Sequence, residues 1–488
     1  MNNKGKITVF LCLIMSGMIL LGLTSIKIIG VFAAKEKTSF AAKTAISNIK
    51  ANYNSYIFEH YHILLFDKNC NGKGEAFLEQ SVEDNMSENL GGDFLVKQVA
   101  IKDIDTIIDD DCGALKQQIK DYMSYAVVSH GVDKILDATG GKDGQIPDEV
   151  EQKMDDDRDG AQEVGDENEE GNGENPGTGE VPSENHTEDP RKVTKKVQKK
   201  GLLSIVLPND MELSDNTIDI ASMPSLKYTG IASSLFKIDA GFNDYDDFKE
   251  GLHSHETWAD KLVSSGVGAA YAIDVFNCAT DRGRNEGTYL GCELEYLICG
   301  RTCDYDNLEG VAGKITAIRL PINYVYLLSD VTKMSKIKSI AWPLSFVTFI
   351  PEPILKYLLA GCWAYGESLM EVRSLLMGKR LEFAKNSMNW ITDLDNFESS
   401  INTDAKTNKK GLDYKDYLMI LLALDMKNTY YRMLDLMQVN ANMDRQINND
   451  ENSVDDTFLI ENAAVNISFD IKVLFDGREI CVSCMGGY

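Results

Sequence analysis

The chain begins with a long apolar segment that has one lysine at each end. Ile7 to Ile26 is a run of 20 residues without a charge, between Lys6 and Lys27. At about 1.5 Å per residue, a helix of this length spans about 30 Å, the thickness of a bilayer's hydrocarbon core. The pattern therefore predicts a transmembrane helix. The alternatives are a secretory signal cleaved near Ala33-Ala34 and a buried helix of a soluble protein.

A helical pattern continues beyond this segment. Apolar residues recur at three- and four-residue spacings from Phe40 to Leu64, and neither Pro nor Gly interrupts the chain between Val31 and Phe66. We expect one long helix that leaves the membrane and packs against an extracytoplasmic domain. The short tail of residues 1–6 is expected to stay in the cytoplasm.

The rest of the chain is mostly helical in pattern. Two apolar runs, Ile340 to Ile350 and Leu418 to Leu424, are too short to cross a bilayer and are interpreted as core helices. The predicted fold class is α+β, dominated by helices. Strands are expected over Phe94 to Ile108, Ser204 to Leu207 and Ala463 to Phe475. Helices are expected over Gly74 to Asn89, Leu115 to Val128, Trp258 to Cys278, Leu290 to Gly300, Leu308 to Leu328, Ile354 to Gly378 and Tyr414 to Val439.

Composition changes abruptly in the middle of the chain. Ala138 to Pro190 holds eighteen acids against three bases and no aromatic residue, and six bases follow in Arg191 to Lys200. Such a segment buries too little apolar surface to offset the entropy of ordering it, so a disordered linker or inserted loop is expected. The predicted layout is a tail (1–6), a transmembrane helix (7–26), a juxtamembrane helix with a small α+β region (27–137), an acidic then basic linker (138–200) and a main domain (201–488).

One pattern in the acidic tract has the spacing of a calcium-binding loop. Asp155, Asp157 and Asp159 precede Gly160, and Asp166 follows five residues after that glycine. Carboxylates at alternating positions can surround one cation, and the glycine permits the turn between them. Calcium is therefore a candidate ligand, and plain disorder is the alternative.

Other candidate sites are weaker. His253, His255 and Glu256 lack the second histidine that a metalloprotease helix needs, because Ala259 stands at its position. Asp67 to Gly72 matches the calcium pattern only in part and is interpreted as a polar turn. The pairs Cys299 with Cys303 and Cys481 with Cys484 allow disulfides, a zinc site or free thiols.

The charge balance narrows the range of partners. The formal net charge is −27, which argues against nucleic acid, since nucleic-acid binding needs clustered Lys and Arg. It argues equally against an anionic membrane surface as the main partner. No phosphate-binding loop and no G-x-S-x-G motif occurs, so the sequence predicts no catalytic residue and no enzymatic activity.

Several motifs resemble an uncharacterised family of membrane-anchored proteins from Gram-positive bacteria, whose genes commonly lie beside tight-adherence (Tad) pilus genes. The resemblance covers most of the chain outside the acidic tract. Its motifs are GKITVFLCLIM (5–15), NYNSYIFEHYHILLFD (52–67), LGCELEYLICG (290–300), AYGESLMEVRSLLMGK (364–379), LDYKDYLMILLAL (412–424) and MLDLMQVN (433–440). The N-terminus is also similar to TadE-type pseudopilins. Gly5 fits their pattern, whereas Phe10 stands where they carry Glu, which leaves cleavage after Gly5 open.

The resemblance implies a function in assembly. It predicts a single-pass protein of the cell membrane that serves as a structural or assembly component of a Tad-like pilus or secretion apparatus. The expected partners are the lipid bilayer, through Ile7 to Ile26, and other membrane proteins of that apparatus. The alternatives are a surface receptor or adhesin, stiffened by calcium, and an extracellular enzyme of unknown reaction.

Overall fold

The protein divides into two compact units. A computed structural model describes residues 3–68, 70, 73–125, 189–229, 266–281, 287–403, 405, 407–409, 411–448 and 463–488. The first unit comprises Met1–Gln118 and Ala441–Tyr488, and the second comprises Ile119–Asn440. The second unit is thus inserted into the sequence of the first. This grouping differs from the expected layout, which placed residues 441–488 in the main domain.

The first unit begins with the long helix that the sequence predicts. Helix α1 (Asn3–Lys50) is continuous for 48 residues. Within it, Lys6–Lys50 is long and apolar enough to cross a membrane, and its most apolar window has no buried residue. This is compatible with a single-pass membrane anchor.

The expected continuation of α1 to Leu64 is wrong. The chain turns after Lys50, and a separate helix α2 (Ser55–Tyr61) follows. Asn54 begins it, because its side-chain oxygen accepts a hydrogen bond from the Ile57 backbone N–H at 3.0 Å. Asparagine favours such caps over helix interiors, a local effect that the apolar spacing does not reveal. The next helices of the chain are α3 (Glu75–Leu90), as predicted, and α4 (Asp109–Tyr125).

A small antiparallel sheet completes the first unit. Its strands are β1 (Phe66–Asp67), β2 (Phe94–Thr106), β3 (Ala463–Phe475) and β4 (Arg478–Gly487). Strand β3 pairs with β2 along one edge and with β4 and β1 along the other. Its alternating apolar residues are all buried, as the pattern predicted: Val465, Ile467, Phe469, Ile471 and Val473.

The core of this unit lies between the sheet and two helices. One face of the sheet packs with α3, through Leu78, Val82, Met86 and Leu90, and with the C-terminal half of α1. Helix α1 contributes mainly small side chains, Ala41, Ala42 and Ala45, together with Ile46 and Ile49. Alanines allow the helix to approach the strands closely, and residue 486 is glycine where a Cβ would overlap Ile46.

The second unit is helical. In chain order it contains α5 (Arg191–Lys200), α6 (Leu203–Val206), α7 (Pro224–Thr229), α8 (Gly266–Val275), α9 (Glu293–Cys299), α10 (Asp304–Ser329), α11 (Val331–Thr348), α12 (Glu352–Leu376), α13 (Phe397–Ser400), α14 (Tyr414–Leu424) and α15 (Met426–Asn448), the last of which continues into the first unit. The structure is therefore a helix-dominated α+β fold, as predicted.

Four predictions for this region need correction. The basic segment from Arg191 forms helix α5, so the expected disorder does not extend over it. Leu203–Val206 is a helical turn rather than a strand, because four apolar residues cannot distinguish the two. The helix predicted from Tyr414 divides at Asp425, whose backbone is not helical (φ −133°, ψ 50°). Ile340 to Ile350 is not core, since most of its large apolar residues are exposed.

Candidate functional site

The short helix α9 is enclosed on every side. All seven of its residues, from Glu293 to Cys299, are buried, including two glutamates. A buried carboxylate is costly unless it is hydrogen-bonded or its pKa shifts toward the neutral form. The partners of these two glutamates therefore reveal how the chain accommodates them.

Both glutamates accept hydrogen bonds from the loop that follows α8. Glu293 Oε2 accepts from the Asn277 backbone N–H at 2.9 Å, and its Oε1 accepts from Asn440 Nδ2 at 2.7 Å. Glu295 Oε1 accepts from the Ala279 backbone N–H at 3.0 Å and from the Tyr414 hydroxyl at 2.8 Å. Burial raises the pKa of each glutamate to about 7, and these hydrogen bonds only partly offset it.

Three more charged residues hold the ends and one side of α9. Asp304 accepts from the backbone N–H groups of Gly291 and Cys292, just before the helix, at 2.9 and 3.0 Å. Arg432 donates to the carbonyls of Leu297 and Ile298 at its C-terminal end, at 2.7 and 3.0 Å, where a positive charge favours the helix dipole.

Asp435 makes the last of these contacts. It accepts from the Ser225 backbone N–H at 2.9 Å and from the Tyr296 hydroxyl at 2.8 Å. Burial raises its pKa to about 6, although these hydrogen bonds and Arg432 oppose the shift. We call Glu293, Glu295, Asp304, Arg432 and Asp435 the α9 clamp.

A second buried network joins α10, α12 and the segment after α12. Arg319 forms two hydrogen bonds with Glu371, at 2.9 and 2.6 Å. Lys385 contacts both Glu371, at 2.8 Å, and Glu367, at 2.6 Å. Two positive and two negative side chains thus balance one another. Burial opposes ionisation of Glu371, but Arg319 and Lys385 outweigh it and lower its pKa. We call these four residues the ion cluster.

Glu367 also orders the backbone after Lys385. Its oxygens accept from the backbone N–H groups of Ile391 and Thr392, at 3.0 and 2.8 Å, and from the Thr392 hydroxyl at 2.5 Å. Arg319 likewise donates to the Phe383 carbonyl at 2.7 Å. The cluster therefore holds an irregular segment against two helices.

Both networks hold segments of the chain in place. Each acidic side chain is buried and accepts hydrogen bonds from backbone N–H groups, from neighbouring side chains or from both. Glu295 Oε2 is a buried oxygen without a hydrogen-bond partner. A carboxyl group with a raised pKa, neutral over part of the pH range, fits that position.

The sequence-predicted site residues fall in other places. Asp155, Asp157, Asp159 and Asp166 lie outside the described residues, as do His253, His255 and Glu256. Asp67 belongs to β1, where it pairs with Ala463. Across the described ranges, no group of three or more His, Cys, Asp or Glu residues has a metal-binding arrangement.

The cysteines are free thiols, all ten of them. Cys299 ends α9 and Cys303 precedes α10, without a bond between them. Cys481 and Cys484 lie three positions apart on β4, so their side chains point to opposite faces; Cys484 is buried and Cys481 is exposed.

A known family model matches most of the second unit. The family model of DUF5702, a family of unknown function, matches residues 180–473. This match covers more than half of the chain. The chain belongs to the DUF5702 family. Neither a curated protein nor a solved structure matches it.

The DUF5702 match contains both buried networks. The α9 clamp and the ion cluster lie wholly within residues 180–473, and so does most of β3. Helix α1 and strands β1 and β2 precede the matched range. The DUF5702 segment therefore includes most of β3, whereas β2, the strand that pairs with it, lies before the matched range.

Neither network was predicted from the sequence. Their signal was present as acids at positions where a helical pattern expects apolar residues, as in LGCELEYLICG and AYGESLMEVRSLLMGK. An acid on an apolar helix face must be paired or hydrogen-bonded. The sequence does not disclose its partners, which come from other elements.

Proposed function

We propose that this DUF5702 protein is a membrane-anchored, extracytoplasmic structural or assembly component of a Tad-like pilus or secretion apparatus. The observation that carries the proposal is the division of α1 into two chemically different halves. The N-terminal half exposes apolar side chains continuously, and the C-terminal half is built into the core of the first unit.

The exposed half suits lipid. Leu13, Leu20 and Leu21 are each more than half exposed, and no polar face interrupts the surface around them. The hydroxyls of Ser16, Thr24 and Ser25 donate to backbone carbonyls three or four residues earlier, so they need no water. In hydrocarbon every polar group needs such an internal partner.

The buried half makes the anchor mechanically continuous with the folded unit. A helix without a break transmits a tilt or a pull along its axis, whereas a flexible linker does not. Near the end of α1, the Tyr488 hydroxyl donates to the Lys50 carbonyl at 2.5 Å, which ties the helix to the end of β4. This arrangement suits a component that bears load or positions partners.

The orientation is part of the proposal. Lys4 and Lys6 precede the apolar segment, and positive residues beside a membrane span favour the cytoplasmic side. The two units then lie outside. The link to a Tad-like apparatus rests on the resemblance of GKITVFLCLIM and NYNSYIFEHYHILLFD, which precede the DUF5702 match, and of the motifs within it.

The proposal is tested by fractionation and co-purification from the native membrane. We expect the full chain to resist alkaline carbonate extraction, to be cleaved by protease added to whole cells, and to co-purify with pilus subunits after crosslinking. A bound sugar or peptide without pilus subunits would instead favour the receptor or adhesin alternative. Full-length protein in the cytosol contradicts the proposal.

A pair of variants makes the anchor test specific. The double substitution Leu13→Arg/Leu20→Arg places two charges in the apolar half, and each disfavours insertion by about 2.5–3.5 kcal/mol. We expect it to release the protein from carbonate-washed membranes. Phe40→Arg is the matched control, because Phe40 is an exposed apolar residue of α1 beyond the apolar segment. It is expected to leave retention unchanged.

A further inference from the structure

The junction of α11 and α12 forms an exposed apolar corner. The two helices meet at a bend of 119° with only Phe349, Ile350 and Pro351 between them. At the bend Phe349 has a left-handed backbone and is 93% exposed. Six large apolar side chains surround the bend and are exposed, and we call them the apolar corner: Trp342, Phe346, Val347, Phe349, Ile354 and Leu358.

This concentration differs from the exposed apolar residues elsewhere in the second unit. Met388 and Leu424, for example, are exposed singly, which is normal for a protein surface. Leaving a Phe or Ile side chain in water forgoes about 1.5–3 kcal/mol relative to burial. An exposed cluster of this size indicates an interaction surface.

Neither limb of the corner is long enough to be a span. Helix α11 has 18 residues, and Lys333, Lys336 and Lys338 lie in its first half. The continuous apolar part is only about ten residues, half of what a transmembrane helix needs. By length and composition α11 and α12 together could form a broken span or a re-entrant loop, but much of α12 is buried within the second unit. A shallow entry into the interfacial layer of a bilayer fits the corner better.

Local charge suits an anionic lipid surface. Although the chain carries a net charge of −27, Val331–Pro351 contains no acid. Lys338 and Lys356 flank the corner and form no ion pair with any described residue, whereas Lys333 and Lys336 are paired with Asp330 and with two aspartates after α12. Glu352 is the acid nearest the bend.

A basic helix packs on one limb of the bend. Helix α5 packs on α12, and it carries five lysines and no acid. Lys196 pairs with Glu398, while Lys192, Lys195, Lys199 and Lys200 are exposed. Lysines near an anionic leaflet each add attraction, and tryptophan is enriched at the depth of the headgroups. Trp342 is exposed at the corner and packs edge-to-face on Phe346, with ring centroids 5.1 Å apart.

We propose that the apolar corner inserts into the interfacial layer of an anionic bilayer, with Lys338 and Lys356 at the level of the headgroups. The inference rests on the proposed membrane anchor, which keeps the second unit at a high local concentration near the same surface. The protein then contacts lipid at two places, by a spanning helix and by a shallow wedge.

The test uses the full-length protein in vesicles that contain acyl-chain-brominated lipids, which quench tryptophan at close range. The contribution of Trp342 is the difference between the protein and its Trp342→Phe variant. We expect most of that difference emission to be lost in brominated phosphatidylglycerol vesicles and to be blue-shifted in unbrominated ones. Emission that bromine leaves unchanged overturns the proposal.

Variants separate the apolar and electrostatic parts. Phe346→Asp/Phe349→Asp is expected to restore the Trp342 emission, whereas Met388→Asp, a change at an isolated exposed residue, leaves quenching intact. Lys338→Glu/Lys356→Glu is expected to weaken quenching in anionic vesicles, with a loss of at least roughly fivefold in the binding constant for each lysine replaced, and to have no effect in phosphatidylcholine. Circular dichroism checks that each variant folds. We expect it to fold, because the two phenylalanines and the two lysines lie at the surface or are half-buried.

The other occupants give distinct results. A second copy of the chain produces a blue shift that depends on the protein-to-lipid ratio but no quenching by bromine, and a protein partner leaves Trp342 unchanged in pure lipid; either result overturns lipid insertion. Failure of the anchor is visible separately as loss of the protein in a carbonate wash. In that case flotation of the released full chain with added anionic vesicles still measures binding by the corner.

Discussion

Val99 of β2 lies opposite Ile471 of β3 in the antiparallel sheet, and both side chains are buried in one core. The two strands come from opposite ends of the chain, and the whole second unit lies between them in sequence. The C-terminal residues are therefore a structural part of the N-terminal unit. This pairing makes the acidic tract part of an insertion within the first unit's sequence.

Cutting the chain within this insertion should leave the protein associated. We predict that a specific protease site introduced after Gly165 yields two fragments that migrate together in native size-exclusion chromatography and separate in denaturant. The reason is that β2 and the core helices of the N-terminal fragment stay paired with β3 and β4 of the other. Fragments that separate without denaturant contradict the register.

A substitution in β3 tests whether the sheet holds the cleaved fragments together. Phe469→Asp places a charge among fully buried side chains and should dissociate the cleaved fragments. Lys472→Ala changes an exposed residue of the same strand and is expected to leave them together.

The α9 clamp predicts an unusual pH dependence for the second unit. The pKa of Glu295 rises from 4.5 to about 7 on folding, so the folded state favours the neutral carboxyl. Its contribution to stability is complete below about pH 4.5, declines as the pH rises toward 7 and is lost above that. The decline amounts to about 3.5 kcal/mol, at about 1.4 kcal/mol per pKa unit.

Glu295→Gln should remove this part of the pH dependence. The amide keeps the oxygen that accepts from Ala279 and Tyr414, and it is neutral at every pH. We predict that its urea midpoint varies less than that of the wild type between pH 5 and 8, and that it is the more stable form at pH 8. If the urea midpoint of the variant changes between pH 5 and pH 8 as much as that of the wild type does, Glu295 does not titrate in this range.

The same substitution at Glu293 should behave differently. Both oxygens of Glu293 accept hydrogen bonds, so an amide nitrogen would face either the Asn277 N–H or Asn440 Nδ2. We predict that Glu293→Gln lowers the free energy of unfolding at pH 5 by about 1–3 kcal/mol, the cost of an unsatisfied buried donor. Equal stability of the two glutamine variants at pH 5 contradicts the geometry.

The ion cluster should be sensitive to loss of one partner. Arg319→Met leaves Glu371 buried with less compensation, and removal of one member of a buried pair typically costs about 3–5 kcal/mol. Lys336→Met removes a lysine from exposed pairs with Asp393 and Asp395, and such pairs contribute at most about 1 kcal/mol. Urea denaturation compares the two, and similar losses would contradict the predicted role of burial.

The calcium hypothesis for the acidic tract has a direct test. We predict that isothermal titration of the full chain detects a site with a dissociation constant of about 10⁻⁴–10⁻³ M, the range of extracellular calcium modules. Asp155→Asn/Asp157→Asn should abolish it. Asp143→Asn/Asp148→Asn removes two acids of the tract outside the loop pattern and should not. Absence of binding at millimolar calcium removes the site.

Periodicity predicted the long elements of the fold well. Strand β3 has the predicted bounds, Ala463 to Phe475, because its alternation is regular and one face is buried. Strand β4 was not predicted, although Asp476-Gly477 is a strong signal for a two-residue hairpin turn, and both residues have positive φ. Turn chemistry, rather than apolar spacing, would have located this strand.

The features that the sequence did not predict depend on tertiary contacts. The exposed corner around Phe349 and the buried run Leu418 to Ala423 are both rich in apolar residues, and only the arrangement of neighbouring helices distinguishes them. The α9 clamp has the same limit, since the partners of Glu293 and Glu295 come from α8's following loop, α14 and α15. Hydrophobic patterns indicate which residues need covering and not which element covers them.

The insertion of the second unit between β2 and β3 also imposes an order of events during biosynthesis. Strand β2 leaves the ribosome before the second unit, but its partner β3 follows that unit in the sequence. Until β3 arrives, the edge of β2 and the apolar faces of α1 and α3 lack their cover, while the inserted unit is already complete in sequence. The first unit thus closes only after the inserted unit has been translated, and its closure reports that this insertion has been delivered.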